Sequence, residues 1–261
     1  MPNIIMADAQ VGGIPEEDVI LRKISSITNN TVSMVGSYAF ANCTNLSIAK
    51  FSSATIIYTG AFRNTNIRTI SFPNVQTIFN DAFNWCQRLS SASFPAVTSV
   101  GESAFYYNGS LSSVYMPNAV TLGTGAFARC EKLQTINFQA VETIGASAFE
   151  NCSSLTALDF PAAKTIGSYA FVSCSRVTTA SFPACTIISN YAFQSVYNMS
   201  SLYLMGSQLV SLIGSGVFSG TNLSPTYQGQ NPGSIYVPSS MLASYQSYGY
   251  WSYYSSRFVG V

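Results

Sequence analysis

The chain has 261 residues, of which 48% are hydrophobic and only 8% are charged, and its formal net charge is +1. This balance argues against a nucleic-acid-binding face, which needs clustered Lys and Arg, and the absence of histidine removes the most common general base and neutral metal ligand. No apolar run reaches the about 18 residues of a membrane-spanning helix, so we expect no membrane insertion.

The N-terminal segment, residues 1–31, does not match the rest of the chain, and we expect it to form an N-terminal cap. The stretch DVILRKIS (Asp18–Ser25) looks like a strand, which we predict to cover the first coil of the structure that follows. The opening MPNIIMADAQVGG lacks a basic segment followed by an apolar block, so it does not resemble a secretory signal.

From residue 32 the chain repeats itself, and the dipeptide Ala-Phe marks each copy. Eight copies are evenly spaced, with one step shorter by a single position, and a degenerate copy, GVF, follows after a slightly longer step. A fixed period of about 22 residues indicates a solenoid of stacked coils, and we predict about nine coils between residues 32 and 223. The repeat phenylalanines are Phe40, Phe62, Phe83, Phe105, Phe127, Phe149, Phe171, Phe193 and Phe218.

Within each copy, two short apolar patterns alternate in the manner of strands. One is V-x-x-I, as in Val141 and Ile144, and the other is L-x-x-I-x-F, as in Leu155 and Phe160, which a proline often ends. A unit this short cannot bury its apolar side alone, so stacked copies must pair as parallel strands about 4.8 Å apart. The predicted fold is a leucine-rich-repeat-like, right-handed coil with its fixed residues inward and the repeat phenylalanine as the main core residue.

The six cysteines fall on inward columns of this repeat. Five lie three positions after the repeat phenylalanine, and Cys185 takes a position that valine or alanine fills elsewhere. We interpret all six as free, buried, small side chains. A disulfide between successive coils is the alternative for Cys130, Cys152 and Cys174, although stacked side chains point in parallel and do not converge.

No pattern in the sequence indicates catalysis. There is no C-x-x-C pair for zinc and no glycine loop for phosphate. The many serines have no histidine with which to form an ordinary triad. The sequence therefore predicts no enzyme, no metal site and no cofactor.

Residues 224–261 leave the repeat pattern and are predicted to form a C-terminal helical cap, after SIYVP (Ser234–Pro238) copies the strand pattern once more. Two groups of apolar residues recur at helical spacing and predict two short helices: Met241, Leu242 and Tyr245, then Trp251, Tyr254 and Phe258. We interpret the many tyrosines of this lid as packing residues, with a ligand site as the alternative.

The repeat, written IGxxAFxxCxxLxxIxFP, resembles that of the BspA-like leucine-rich repeat family over about residues 32–223. The segment from Ile235 to Val261 also resembles the closing segment of many gut-bacterial and prophage members. The resemblance implies an extracellular, non-enzymatic protein engaged in adhesion or protein binding. Because no export signal, membrane anchor or further module is visible, we expect a prophage or phage-tail protein, or a chain trimmed of its export signal.

Two functions fit this architecture: a recognition module that binds a protein or glycan at a cell surface or from a virion, and a structural spacer of a phage tail or bacterial surface assembly. The outward column before the strand phenylalanine favours recognition, because it carries tyrosine, a frequent contact residue. The ligand and the oligomeric state stay open. The candidate binding residues are Tyr115, Asn137 and Asp159 on successive coils, with Tyr203 and Tyr236 further along.

Overall fold

The computed structural model describes residues 4–5, 23–226, 229 and 231–261. It confirms the predicted repeat solenoid with parallel strands. Each repeat contributes two short strands, one on either side of the Ala-Phe turn, and equivalent strands of successive coils pair in register. Strands are numbered below in chain order.

The V-x-x-I segments form one ten-stranded sheet that runs along the solenoid. Its first strand, at Ile4–Ile5, was not predicted from the sequence, and it pairs with the strand of the first coil. The strands are β1 (Ile4–Ile5), β3 (Met34–Val35), β5 (Ile56–Ile57), β7 (Thr77–Ile78), β9 (Ser99–Val100), β11 (Thr121–Leu122), β13 (Thr143–Ile144), β15 (Thr165–Ile166), β17 (Ile187–Ser189) and β19 (Ser211–Ile213).

The L-x-x-I-x-F segments form the other side, which divides into three sheets because pairing is interrupted between β6 and β8 and between β12 and β14. The sheets contain, in order, β2 (Ser26–Thr28), β4 (Ile48–Lys50) and β6 (Thr69–Ser71); β8 (Ser91–Ser93), β10 (Ser113–Tyr115) and β12 (Thr135–Asn137); and β14 (Ala157–Asp159), β16 (Thr179–Ser181), β18 (Ser201–Tyr203), β20 (Ser234–Val237) and β21 (Phe258–Gly260). The end segments supply β2, β20 and β21, so this side extends beyond the nine predicted coils.

Two columns of aromatic rings fill the interior. The repeat phenylalanines stack on one another with ring centroids 5.1–5.6 Å apart. The strand phenylalanines form a second column, which Met116 divides into two stacks, and they meet the first column at steep angles, as Phe149 meets Phe138 and Phe160. Both columns are buried. The repeat phenylalanine is thus the core residue that the sequence predicts.

The Ala-Phe turn places two residues of every coil in the left-handed backbone region. They lie two positions before and two positions after the repeat phenylalanine, with φ between 52° and 73°. This conformation directs alternate N–H groups of the turn along the solenoid axis. In the coil of Phe149 these N–H groups reach the carbonyls of Ser168, Ala170 and Val172 at 2.8, 2.8 and 2.9 Å.

The C-terminal segment closes the solenoid as a lid. A 3-10 turn (Ser239–Met241) leads into the helix α1 (Leu242–Ser247), and a 3-10 helix (Gly249–Arg257) follows. The prediction of short helices is confirmed, but the assignment of Phe258 to the second helix is wrong: this residue begins β21, which pairs with β20. At the other end, most of the strand predicted for Asp18–Ser25 lies outside the described residues.

Side chains of the lid form hydrogen bonds with the backbone of the last coil, in place of the backbone groups of a further coil. The indole N–H of Trp251 donates to the carbonyl of Val210 at 2.6 Å, and the N–H of Val210 donates to the hydroxyl of Tyr245 at 3.2 Å. In the preceding coil the equivalent carbonyl, that of Thr186, accepts the N–H of Ser211. Capping of this kind is what an open solenoid end requires.

Phe149→Ala should lower the free energy of unfolding by about 3–5 kcal/mol, because it leaves a cavity in a stack of buried rings. Ser93→Ala, on an exposed strand position, should change it by less than about 0.5 kcal/mol. Urea unfolding followed by circular dichroism measures both. Equal midpoints for the two variants would contradict the inward register.

Trp251→Phe retains a ring against Phe218 but removes the indole donor to Val210. We expect a loss of about 1–3 kcal/mol, the cost of leaving a buried carbonyl unpaired. Thermal and urea unfolding test this value, with Tyr250→Phe as the control at an exposed lid position. A Trp251→Phe protein as stable as the wild type would show that the indole N–H does not cap the coil.

Candidate binding surfaces

The strand-face residues predicted from the sequence fall into two groups. Tyr115 and Asn137 are directly paired on β10 and β12, and the Tyr115 side chain is 47% exposed. Asn137 is half-buried. Asp159 is exposed but begins the next sheet, so strand pairing does not continue from Asn137 to Asp159.

The second group shares one sheet. Asp159, Ser181, Tyr203 and Tyr236 are in register on β14, β16, β18 and β20. The rings of Tyr203 and Tyr236 stack with centroids 4.6 Å apart and planes 10° from parallel, and both side chains are half-buried. The structure therefore brings Tyr115 close to Asn137, and Tyr203 close to Tyr236. Their role in binding stays a prediction.

All six cysteines are buried thiols outside any disulfide, as the inward columns predict. In four of them the thiol donates across the coil boundary to the carbonyl of a repeat phenylalanine. The carbonyls of Phe127 and Phe149 also accept a backbone N–H in their own coil. This position therefore suits a small side chain that donates a hydrogen bond. Asn108 occupies the equivalent position and donates from its amide to the Phe83 carbonyl. The thiol donors are Cys86, Cys130, Cys152 and Cys174, at 3.1–3.2 Å.

Burial makes these thiols poor nucleophiles. It raises the pKa of Cys86 to about 11 and the pKa of Cys130, Cys174 and Cys185 to about 12. For Cys152 burial and the two flanking thiols raise the pKa well above its ordinary value. Because the thiolate is the reactive form, these columns are structural at neutral pH.

A further surface, which sequence reasoning missed, lies on the Ala-Phe turn. The position two residues after the repeat phenylalanine is left-handed in every coil, and Asn, Ser or Gly occupy it in most of them. In three consecutive coils it instead holds Trp85, Tyr107 and Arg129, which we call the turn-edge column. The sequence does show this exception: large residues stand at three consecutive repeats in a position that Asn, Ser or Gly fills in the other repeats.

The turn-edge column is an exposed stack. The rings of Trp85 and Tyr107 are 4.6 Å apart and 16° from parallel, and the Arg129 guanidinium lies 6.0 Å from the Tyr107 ring centre. The Trp85 side chain is 46% exposed, and Arg129 is exposed. The amide of Gln87 donates to the Tyr107 carbonyl and supports the turn beneath the rings.

The backbone of this column is held in place although its conformation is costly. A left-handed conformation costs a residue with a Cβ about 1–2 kcal/mol. The N–H groups of Trp85, Tyr107 and Arg129 each donate to a carbonyl of the following coil, at 2.9, 2.9 and 2.7 Å. The ladder fixes the turn, so the large side chains must project from it.

Among the described residues, no three His, Cys, Asp or Glu side chains approach closely enough to hold a metal ion. No helix in this part of the chain has both the length and the hydrophobicity that crossing a bilayer requires.

The repeat and its columns correspond to a known family. Residues 21–134 and 120–237 match the BspA type leucine-rich repeat region, in six copies. This chain belongs to the BspA-type leucine-rich repeat family. A comparison with curated proteins finds no significant match.

Several solved structures are similar to this chain. A leucine-rich cell-surface protein from Faecalibacterium prausnitzii is 19% identical, with 76% of each chain covered and a TM-score of 0.41. A leucine-rich repeat protein from T. pallidum is 22% identical, with 76% of this chain and 73% of that chain covered and a TM-score of 0.42. The pneumococcal vaccine antigen PcpA is 14% identical, with coverage of 88% and 83% and a TM-score of 0.39.

Thiol labelling tests the inward cysteine columns. We expect six labelled thiols after denaturation without reductant, and much slower labelling of the native protein at neutral pH because burial disfavours the thiolate. Adding reductant should leave the melting temperature unchanged. Fewer than five labelled thiols would mean that a disulfide joins two coils.

Proposed function

We propose that this chain is a non-enzymatic recognition module, extracellular or virion-associated, that binds a protein at a cell surface. The observation that carries the proposal is the turn-edge column. Tryptophan, tyrosine and arginine are the residue types most enriched among interface residues with large binding energies. Here the three types stand on consecutive coils as one stack, in which Trp85 and Arg129 are exposed and Tyr107 between them is half-buried.

The energetics of the column support a role outside the fold. The repeat tolerates small turn formers at the same position, as Asn64 and Asn151 show on either side of it. Large side chains there add about 1–2 kcal/mol of backbone cost, while a surface ring stack returns about 0.5–1.5 kcal/mol. The left-handed backbone itself recurs in every coil, so it is the choice of large side chains that distinguishes this column.

The composition of the surface indicates how a partner is held. With 8% charged residues and a net charge of +1, the chain has little electrostatic attraction for a partner. Apart from Arg129, contacts must come mainly from rings, hydroxyls and amides, as in antibody binding loops. We therefore expect binding that depends little on salt.

The strand-face residues are a second surface for the same function. Tyr115 is exposed, and Asp159 is exposed in the same sheet as the stacked tyrosine pair. These residues lie on a different side of the coil from the turn edge, so variants of each surface separate the two.

Trp85→Asn is the variant that tests the proposal. Asparagine suits a left-handed position and occupies this column in other coils, so the variant should fold with a stability within about 1 kcal/mol of the wild type. Its affinity should fall about tenfold or more, as for loss of a central interface aromatic. Ser173→Asn, in the same column, is the matched control and should bind like the wild type.

The assay is titration of fluorescently labelled protein onto intact bacterial cells and epithelial monolayers, each before and after protease treatment. Protease treatment should abolish binding if the partner is a protein. If Tyr115→Ala or Asp159→Ala weakens binding while Trp85→Asn does not, the partner contacts the strand face instead of the turn edge. Wild-type protein that binds no surface would contradict recognition and favour the spacer.

A further inference from the structure

The ninth Ala-Phe turn ends the solenoid with hydrogen-bond donors that have lost their acceptors. In the eight preceding turns, three alternate N–H groups donate to carbonyls of the next coil. The equivalent groups of the ninth turn belong to Gly216, Phe218 and Gly220, and no coil follows. The Tyr254 ring packs edge-on against the Phe218 ring, with centroids 5.3 Å apart. Within the described part of the chain, nothing accepts from Gly216 or Gly220.

Each of these two free donors lies at the wall of a pocket between the last coil and the lid. Gly216 lines a cavity of roughly 310 Å³, together with Ser215, Ser219, Tyr250, Tyr253 and Tyr254. This volume is in the range of small-ligand pockets.

Gly220 lines an adjoining, more open pocket of roughly 480 Å³ with Tyr197, Asn198 and Asn222. Ser224 and Thr226 belong to both linings, so the two pockets form one cleft, which we call the terminal cleft.

The terminal cleft is aromatic and polar. Among the described residues, its lining consists of tyrosine, serine, threonine, asparagine, glycine and two aliphatic residues, and none of these carries a charged side chain. Tyr250 and Tyr253 are 64% and 58% exposed although they line a cavity. Exposed rings beside hydroxyls and bare backbone N–H groups offer apolar faces together with many hydrogen-bonding groups.

Glycine at the two donor positions keeps the backbone accessible. Both residues are left-handed, with φ of 66° and 73°. A Cβ at Gly216 would lie 2.4 Å from the Tyr191 ring, so any residue other than glycine would displace that ring.

The position of Tyr254 distinguishes between possible occupants. An extended peptide would add to the open edge by accepting from all three N–H groups in succession. Because Tyr254 packs against Phe218, which carries the middle N–H, the outer donors are divided between two pockets. A compact ligand that carries hydroxyls in every direction fits this division, and an extended strand does not.

We propose that the terminal cleft binds a neutral oligosaccharide, with one sugar ring against Tyr250 and Tyr253 and the next beside Tyr197. The C–H faces of the sugars pack on the tyrosine rings, and their oxygens accept from the N–H groups of Gly216 and Gly220. This site is separate from the turn-edge column and does not depend on the function proposed for it.

The test uses the full chain and neutral disaccharides: lactose, maltose, cellobiose and N,N′-diacetylchitobiose. Saturation-transfer NMR detects binding, and calorimetric titration measures the affinity for the best probe. We expect at least one of the four to bind and Tyr253→Ala to weaken it about tenfold or more, as for a stacking aromatic at a binding site. Tyr250→Ala, at a more exposed position, should weaken it in the same direction.

Tyr248→Ala is the matched control, because Tyr248 is an exposed lid tyrosine outside both linings. It should bind the sugar like the wild type, and all three variants should melt at the wild-type temperature. Trp85→Asn should also leave sugar binding unchanged.

Three results would overturn the terminal-cleft proposal: none of the four sugars binds, the sugar binds equally to Tyr253→Ala and Tyr250→Ala, or an extended peptide from a display library occupies the cleft instead. None of these results would affect the other proposal, in which the turn-edge column binds a protease-sensitive partner on cells. Conversely, loss of that cell binding in Trp85→Asn leaves the sugar titration intact, so the two proposals fail separately.

Discussion

A parallel stack of coils holds together only if equivalent residues of neighbouring coils repeat at about 4.8 Å, the spacing at which backbone ladders pair. Phenylalanine rings in offset stacks repeat at 5.1–5.6 Å here, close to that spacing. Ring stacking and backbone pairing can therefore both occur at nearly the same spacing between coils. The cross-coil hydrogen bonds of the Ala-Phe turn extend the same spacing to the tightest part of the coil. The surface columns of the coils are placed by this spacing as well.

Because the interior is set by a few columns, the exterior can vary without disturbing the fold. The same left-handed turn position accepts Asn64, Trp85, Arg129 or Ser173, and its backbone bonds persist in each case. Side chains at such positions stand in rows whose order follows the order of the coils. A surface built in this way can change its chemistry one coil at a time, which suits recognition on a scaffold that stays constant.

The repeat period alone was enough to predict the core column and most of the strands. The repeated Ala-Phe pair placed the core column, and the apolar patterns beside it placed the strands, because each inward residue meets the same environment in every coil. Ile4 and Ile5 had no such context and were missed as a strand. Phe258 fitted a helical spacing with Trp251 and Tyr254, but parallel pairing with β20 prevailed over that local pattern.

The candidate sites were harder to predict because they depend on features that the pattern does not contain. Bulky residues disfavour the left-handed region, so propensity gave no reason to place Trp85 and Tyr107 there. The interruption between Asn137 and Asp159 has no counterpart in the repeat spacing. The terminal cleft joins residues near 197, 216–226 and 250–254, and only the folded chain brings these three segments together.

The ladders also determine how the molecule responds to force. Their hydrogen bonds run along the solenoid axis, so tension between the two ends loads the coil boundaries in series and not in parallel. Coil boundaries loaded in series open one after another. Each opening lengthens the chain by about one repeat before the next boundary breaks. Under flow or pulling, such a protein lengthens in small steps and keeps its remaining coils folded. Since boundaries in series carry the same tension, a partner held on any coil would bear no more force than that at which the weakest boundary opens.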